Sequence, residues 1–151
     1  MGHGLVTQTR MITADPQTLF DIVADPAMHP VIDGSGTVRA ARPGNPARLS
    51  QGAKFSMDMQ LGASYRILNT VVEFEEGRRI AWRHFNGHVW RYVFEPVEGG
   101  TLVTEQWDPS GATSQLALRL SGFPARNRRG MRRTLERLDE VATGQSAGQE
   151  S

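Results

Sequence analysis

The stretch RRIAWRHFNGHVWRYVFEPVEGGTLVTEQW, residues 78–107, contains three candidate strands and two turns, and the parity of those turns decides the fold. A two-residue turn at Asn86-Gly87 pairs Phe85 with His88 and sets Trp82 beside Arg91. A three-residue turn with Gly87 left-handed pairs His84 with His88, Trp82 with Trp90 and Ile80 with Tyr92. The second register gathers the large apolar residues on one face and leaves Arg79, Ala81, Arg83, Val89, Arg91 and Glu95 on the other. A slip of one residue sends every side chain to the opposite face, so the three-residue turn is the expected one.

The same parity extends outward in both directions. A turn at Glu76-Gly77-Arg78 pairs Glu75 with Arg79, Phe74 with Ile80 and Val72 with Trp82. A four-residue turn over 97–100 pairs Phe94 with Val103, Tyr92 with Glu105 and Trp90 with Trp107. One face then carries Val72, Phe74, Ile80, Trp82, His84 and Trp90, continued by Tyr92, Phe94, Val103, Glu105 and Trp107. All three tryptophans of the chain lie on it. Residues 54–60 alternate in the same way, with Phe55, Met57 and Met59 on one side and Lys54, Ser56 and Asp58 on the other.

The flanks complete the element order. Residues 6–12 read as a first strand. Asp15-Pro16 reads as the N-cap and first position of a helix whose apolar face is Leu19, Phe20, Ile22 and Val23. Asp25-Pro26 repeats the signal and opens a second short helix expected to end before Pro30. Loops at 33–36 and 43–46 bracket a strand over 37–42. From Thr113 the period turns helical, through Leu116, Leu120 and Phe123 to Met131, Leu135 and Leu138, with a kink or break expected at Gly122 and Pro124. One domain spans 1–143, and the Gly, Gln, Ser and Glu tail 144–151 is expected to fray.

The order strand, two short helices, six strands and long helix resembles the helix-grip fold of the START and birch-pollen-allergen (SRPBCC) superfamily. Residues 78–107 resemble its polyketide cyclase/dehydrase and lipid-transport-like branch, and ITADPQTLFDIVADP, residues 12–26, fits the strand that leads through Ala-x-Pro into the first helix. The resemblance implies an α+β domain in which a curved antiparallel sheet of about seven strands wraps a long C-terminal helix. It does not imply one function, because the branch mixes cyclases, ligand carriers, hormone receptors, quinone chaperones and a ribosome-directed toxin.

Composition narrows the field. The chain has 151 residues, no cysteine and a formal charge of +1, which excludes disulfides and thiolate–metal sites. No apolar run approaches the roughly 20 residues of a membrane span, and Met1-Gly2-His3-Gly4 lacks a leader's apolar region, so a cytoplasmic location is the expectation. There is no Gly-x-Ser-x-Gly and no phosphate-binding glycine loop, so no cofactor is called for.

The aromatic face, with its pliable methionines, suits a cleft for an apolar ligand between sheet and helix. The residues expected to line it are Phe55, Met57, Met59, Val72, Trp82 and His84 from the sheet's first half, and Trp90, Tyr92, Phe94, Glu105 and Trp107 from its second. Leu120, Asn127 and Met131 would face it from the helix. Glu105 turns inward, where a carboxylate needs a partner. It is a structural pair for Arg66, a helix arginine or Tyr92; an anchor for a ligand hydroxyl or ammonium; or a catalytic acid. In the plant hormone receptors of this fold a cavity-facing glutamate stands on the strand that TLVTEQW, residues 101–107, resembles. His84 and His88 face each other without a third metal ligand and read as a rim pair able to transfer protons. His3 and His29 carry no signal. Asn127 either braces the kink at Pro124 or bonds a ligand.

Arg126, Arg128, Arg129, Arg132, Arg133 and Arg137 form a basic run that reads as a solvated helix face, partly offset by Glu136, Asp139 and Glu140. No aromatics are interleaved with them, which argues against nucleic acid. The expected function is binding of a small, largely hydrophobic molecule. The alternatives are a polyketide aromatase/cyclase or dehydratase using Glu105, Tyr92 and His84, and an interaction protein whose basic helix meets RNA or a ribosome.

Overall fold

The computed structural model describes residues 5–61, 63–84, 87–110 and 123–144. Strand β1 (Val6–Ile12) leads into helix α1 (Pro16–Val23), a 3₁₀ turn (Pro26–Met28) and helix α2 (His29–Ile32). Six strands follow: β2 (Val38–Ala41), β3 (Lys54–Leu61), β4 (Ala63–Glu75), β5 (Arg79–His84), β6 (Val89–Val97) and β7 (Gly100–Asp108). Helix α3 (Phe123–Thr143) closes the described chain. Strands β2 to β7 form a continuous antiparallel meander, and β1 returns to pair with β7, giving the order β1-β7-β6-β5-β4-β3-β2. β1 and β2 are therefore opposite edges, and α1 and α2 carry the chain between them across the concave face. This is the helix-grip architecture expected from the sequence.

Capping follows the sequence closely. The Asp15 carboxylate accepts from the Thr18 amide at 2.8 Å, and Pro16 fills the first turn of α1, where no donor is needed. Asp25 accepts from the Ala27 amide at 3.0 Å and opens the 3₁₀ turn. The chain does not leave helical geometry before Pro30 as expected. The 3₁₀ turn ends at Met28, a new helical turn starts at His29, and Pro30 sits in its first turn, the one place where its missing N–H is harmless. The strand expected over 37–42 is trimmed to Val38–Ala41.

The central register is the one derived from parity. Trp82 pairs with Trp90 and Ile80 with Tyr92. The His84 amide donates to the His88 carbonyl at 2.8 Å, and Gly87 has φ of 109°, a conformation that favours glycine. Trp90 pairs with Trp107, Tyr92 with Glu105 and Phe94 with Val103. That ladder runs on to Val97 opposite Gly100, so the turn holds Glu98-Gly99 rather than four residues, with parity unchanged.

One pairing differs. Phe74 meets Ile80 as expected, but a bulge between Val71 and Glu73 places Val71, not Val72, opposite Trp82. Beyond the bulge the face alternates through Val71, Asn69 and Ile67, which are buried. Val72 is displaced from the face, and its carbonyl accepts from the exposed Gln51 side chain.

The core forms where α1 and α3 meet the concave face. Leu19, Phe20 and Val23 of α1 are buried, as are Met131, Leu135 and Leu138 of α3. Leu135 and Leu138 join the main core, whereas Met131 packs with Val6 and Trp107. The expected kink at Gly122 and Pro124 falls at the border of the described residues, with Pro124 in the first turn of α3. The expected helical turns over 113–122, including Leu116 and Leu120, and the tail over 145–151 lie outside the described residues. Among those residues, no helix is long and apolar enough to cross a membrane.

Candidate ligand-binding site

A cavity of about 200 Å³ lies between the concave sheet and α3, closed on one side by α2 and the loop after it. Of the residues expected to line a site, Met57, Met59, Trp82, His84, Trp90 and Tyr92 do so, as do Glu105, Trp107, Asn127 and Met131. Phe55, Phe94 and Val72 do not. Phe55 is covered by His29 and Trp82, whose rings meet it edge-on at 5.3 and 5.5 Å. Phe94 packs edge-on to Phe20 of α1 at 5.7 Å, in the solid part of the core. Val72 is excluded by the β4 bulge. Leu120 lies outside the described residues.

The lining also includes residues that the sequence pattern does not single out for a site, among them His29, Asp33 and Asn69. Burial lowers the pKa of His29, so the ring is neutral, and its Nε2–H donates to the Val23 carbonyl at 2.8 Å. The ring stacks on Trp82 with centroids 4.9 Å apart. Asp33 accepts from the Ser35, Gly36 and Val38 amides at 3.2, 2.9 and 3.2 Å and from the Ser35 hydroxyl at 2.7 Å. That loop is clamped onto α3. The Gly34 amide donates to Thr134 Oγ1 at 2.8 Å, and a Cβ on Gly34 would stand 2.3 Å from Cβ of Arg133.

The base of the cavity is electrostatically unusual. Glu105 is 2% exposed, and Tyr92 Oη donates to its Oε2 at 3.0 Å. Of the partners considered for Glu105, Tyr92 is the one the fold provides; Arg66 stands on β4 opposite Asp58, exposed. Burial pushes the Glu105 carboxyl well above the usual carboxylate range, the Tyr92 bond opposes this, and the nearby Asp33 charge adds to it. Burial and the adjoining Glu105 raise Tyr92 likewise. Burial thus favours the protonated form of Glu105, whose Oε1 is the oxygen that Tyr92 does not engage.

At the hairpin end, His84 and His88 lie ring to ring at 4.5 Å, as expected. Burial and the His84 charge lower the pKa of His88 to about 4. The His88 ring also meets Trp107 edge-on at 5.7 Å. No group of three histidine, aspartate or glutamate side chains among the described residues is placed to hold a metal ion.

Four buried side-chain atoms among the described residues lack any hydrogen-bond partner: Asn69 Oδ1, His88 Nδ1, Glu105 Oε1 and Trp107 Nε1. All four belong to residues of this one cavity.

Comparison with known proteins agrees with this architecture. The family described as "Polyketide cyclase / dehydrase and lipid transport" matches residues 3–143. Rv0088 of Mycobacterium tuberculosis is 39% identical over 155 residues, covering 96% of this chain and 67% of that protein. Among solved structures, CV1439 from Chromobacterium violaceum superposes with a TM-score of 0.72 at 15% identity, covering 93% of this chain and 97% of its own. The AHSA1-like protein from Aeromonas hydrophila does so with 0.65 at 16% identity, covering 97% and 99%. These structures share the fold.

Proposed function

The chain belongs to the polyketide cyclase/dehydrase and lipid transport family, and we propose that it binds one small, largely hydrophobic molecule between the concave sheet and α3. The observation that carries this reading is that the four residues with a buried, unpartnered polar atom, Asn69, His88, Glu105 and Trp107, all line one aromatic cavity. A buried polar group without a partner costs about 1–3 kcal/mol. Four such groups dispersed through a core are defects; four around one cavity are complementary to a ligand that is apolar in bulk and polar at a few points. The test is calorimetry and tryptophan emission during titration with 1-naphthylmethanol, with native mass spectrometry of the protein purified from bacteria. A saturable one-to-one signal and a co-purified small mass are expected. Neither heat nor emission change up to the probe's solubility refutes the proposal.

A specific observation also favours a second reading, cyclase or dehydratase chemistry. Glu105 combines a pKa raised by burial with an unpartnered oxygen, and Tyr92 holds its other oxygen. Such a group is a general acid for a bound ketone. On this reading Glu105→Gln lowers turnover of a poly-β-ketone at least about a hundredfold while binding persists. The basic helix supports no comparable argument: Arg128, Arg129, Arg132 and Arg137 are exposed, and Arg133 pairs with Glu136 at 3.4 Å.

A further inference from the structure

We propose that the molecule this cavity takes carries a protonated amine on an aromatic body, with the ammonium seated against Glu105 and the neighbouring ring faces. The inference rests on the ligand-binding reading and names the chemistry of its ligand.

The walls supply the first argument. Trp82 and Tyr92 lie 5.7 Å apart and Trp90 and Trp107 lie 6.3 Å apart, and all four line the cavity. Their π faces carry partial negative charge and attract cations, most strongly where water is excluded.

The charges supply the second. Two acids line the cavity, Glu105 and Asp33, and among the described residues neither forms an ion pair with an arginine, lysine or histidine. Arg126, the arginine in the wall, is exposed and screened by solvent. Burial keeps His29 and His88 uncharged, and His84 stands against His88 at the hairpin end. The two acids and the aromatic rings thus lie in the interior, while the cationic groups of the lining, Arg126 and His84, stand at its exposed wall and at the hairpin end.

The third argument is Glu105 Oε1, buried and unpartnered. An anionic ligand would bring a third acid beside Glu105 and Asp33. A neutral alcohol would leave Glu105 protonated and gain one hydrogen bond. An ammonium satisfies Oε1, neutralises the acid it meets and lies on the rings at once. The balance is simple: the ammonium enters, Glu105 ionises, and its proton leaves to solvent.

Three probes of one shape decide it: 1-naphthylmethylamine, 1-naphthylmethanol and 1-naphthylacetate. Each is titrated calorimetrically at pH 7 in phosphate and in Tris, whose different ionisation heats report the protons released. The amine is expected to bind at least about tenfold more tightly than the alcohol, with close to one proton released per molecule bound. Glu105→Gln should abolish both the preference and the release. Equal or tighter binding of the alcohol, tightest binding of the acetate, or amine binding without proton release overturns the inference and leaves the hydrophobic-ligand reading standing. If none of the three binds, both fall. The wild-type comparison decides even where the variant fails to fold.

Discussion

Replacing Glu105 with glutamine should stabilise the empty protein at neutral pH, and by an amount that grows with pH. The glutamine carbonyl can accept the Tyr92 hydroxyl as Oε2 does at 3.0 Å, and its amide occupies the place of the protonated Oε1. Because burial raises the folded-state pKa of Glu105 well above the usual 4.5, the folded state keeps a proton that the unfolded chain has lost. The stability this group contributes is complete below pH 4.5 and is lost as pH rises toward the folded pKa. The slope for one proton is about 1.4 kcal/mol per pH unit. Glutamine removes the slope. The difference in unfolding free energy between variant and wild type should therefore widen between pH 5 and pH 7, by at most about 1.4 kcal/mol per pH unit. Urea denaturation followed by tryptophan emission at half-unit pH steps measures it, and every other titrating group cancels in the difference. A difference that stays flat across that range would show that Glu105 is ionised in the folded protein, and the neutral-acid argument would fail.

Other perturbations have equally definite outcomes. His88, with its pKa lowered to about 4 from 6.5, contributes stability that is present above pH 6.5 and lost as pH falls toward 4. His88→Gln should make the acid limb of the pH–stability curve shallower by up to about 3 kcal/mol; His29 acts in the same direction, so part of the limb should remain. Gly34→Ala puts a methyl 2.3 Å from Cβ of Arg133 and should cost about 2 kcal/mol or more. An unchanged melting temperature would show that the loop does not dock there. Replacing Arg128, Arg129, Arg132 and Arg133 together with Gln should change stability by less than about 1 kcal/mol and leave 1-naphthylmethanol affinity unaltered, because exposed charges contribute little. Salt-dependent RNA binding that disappears in that variant would instead give the basic face a partner.

Parity made the sheet legible. Trp82 opposite Trp90 and Tyr92 opposite Glu105 follow from turn length and from the cost of exposing a row of aromatic rings. The β4 bulge was not legible, because Val71 and Val72 are chemically equivalent neighbours and either one fills the inner position. His29 gives no signal for a different reason. Its local context is a proline-flanked short helix, and its contact with Trp82 arises only when α2 crosses from one sheet edge to the other. Asp33 falls in the loop expected over 33–36, but its place in the cavity depends on a clamp a hundred residues away in sequence. One local signal pointed there. Gly130 and Thr134 stand one helical turn apart among arginines and leucines, a notch that only a closely approaching backbone needs.

The pairing of the first strand with the last has a consequence for how the chain acquires this structure. Strands β2 to β7 find their partners locally, each hairpin closing as soon as it is made. Val6 must wait for Trp107, about a hundred residues later. At roughly 5–20 residues per second, a growing chain would leave β1 without its partner for about 5–20 s. Hydrogen exchange on ribosome-stalled chains should find β1 unprotected until β7 has left the exit tunnel. During that interval the most recently made strand of the meander is a bare edge, with its ladder groups open to any extended segment nearby. That exposure ends when β1 pairs with β7.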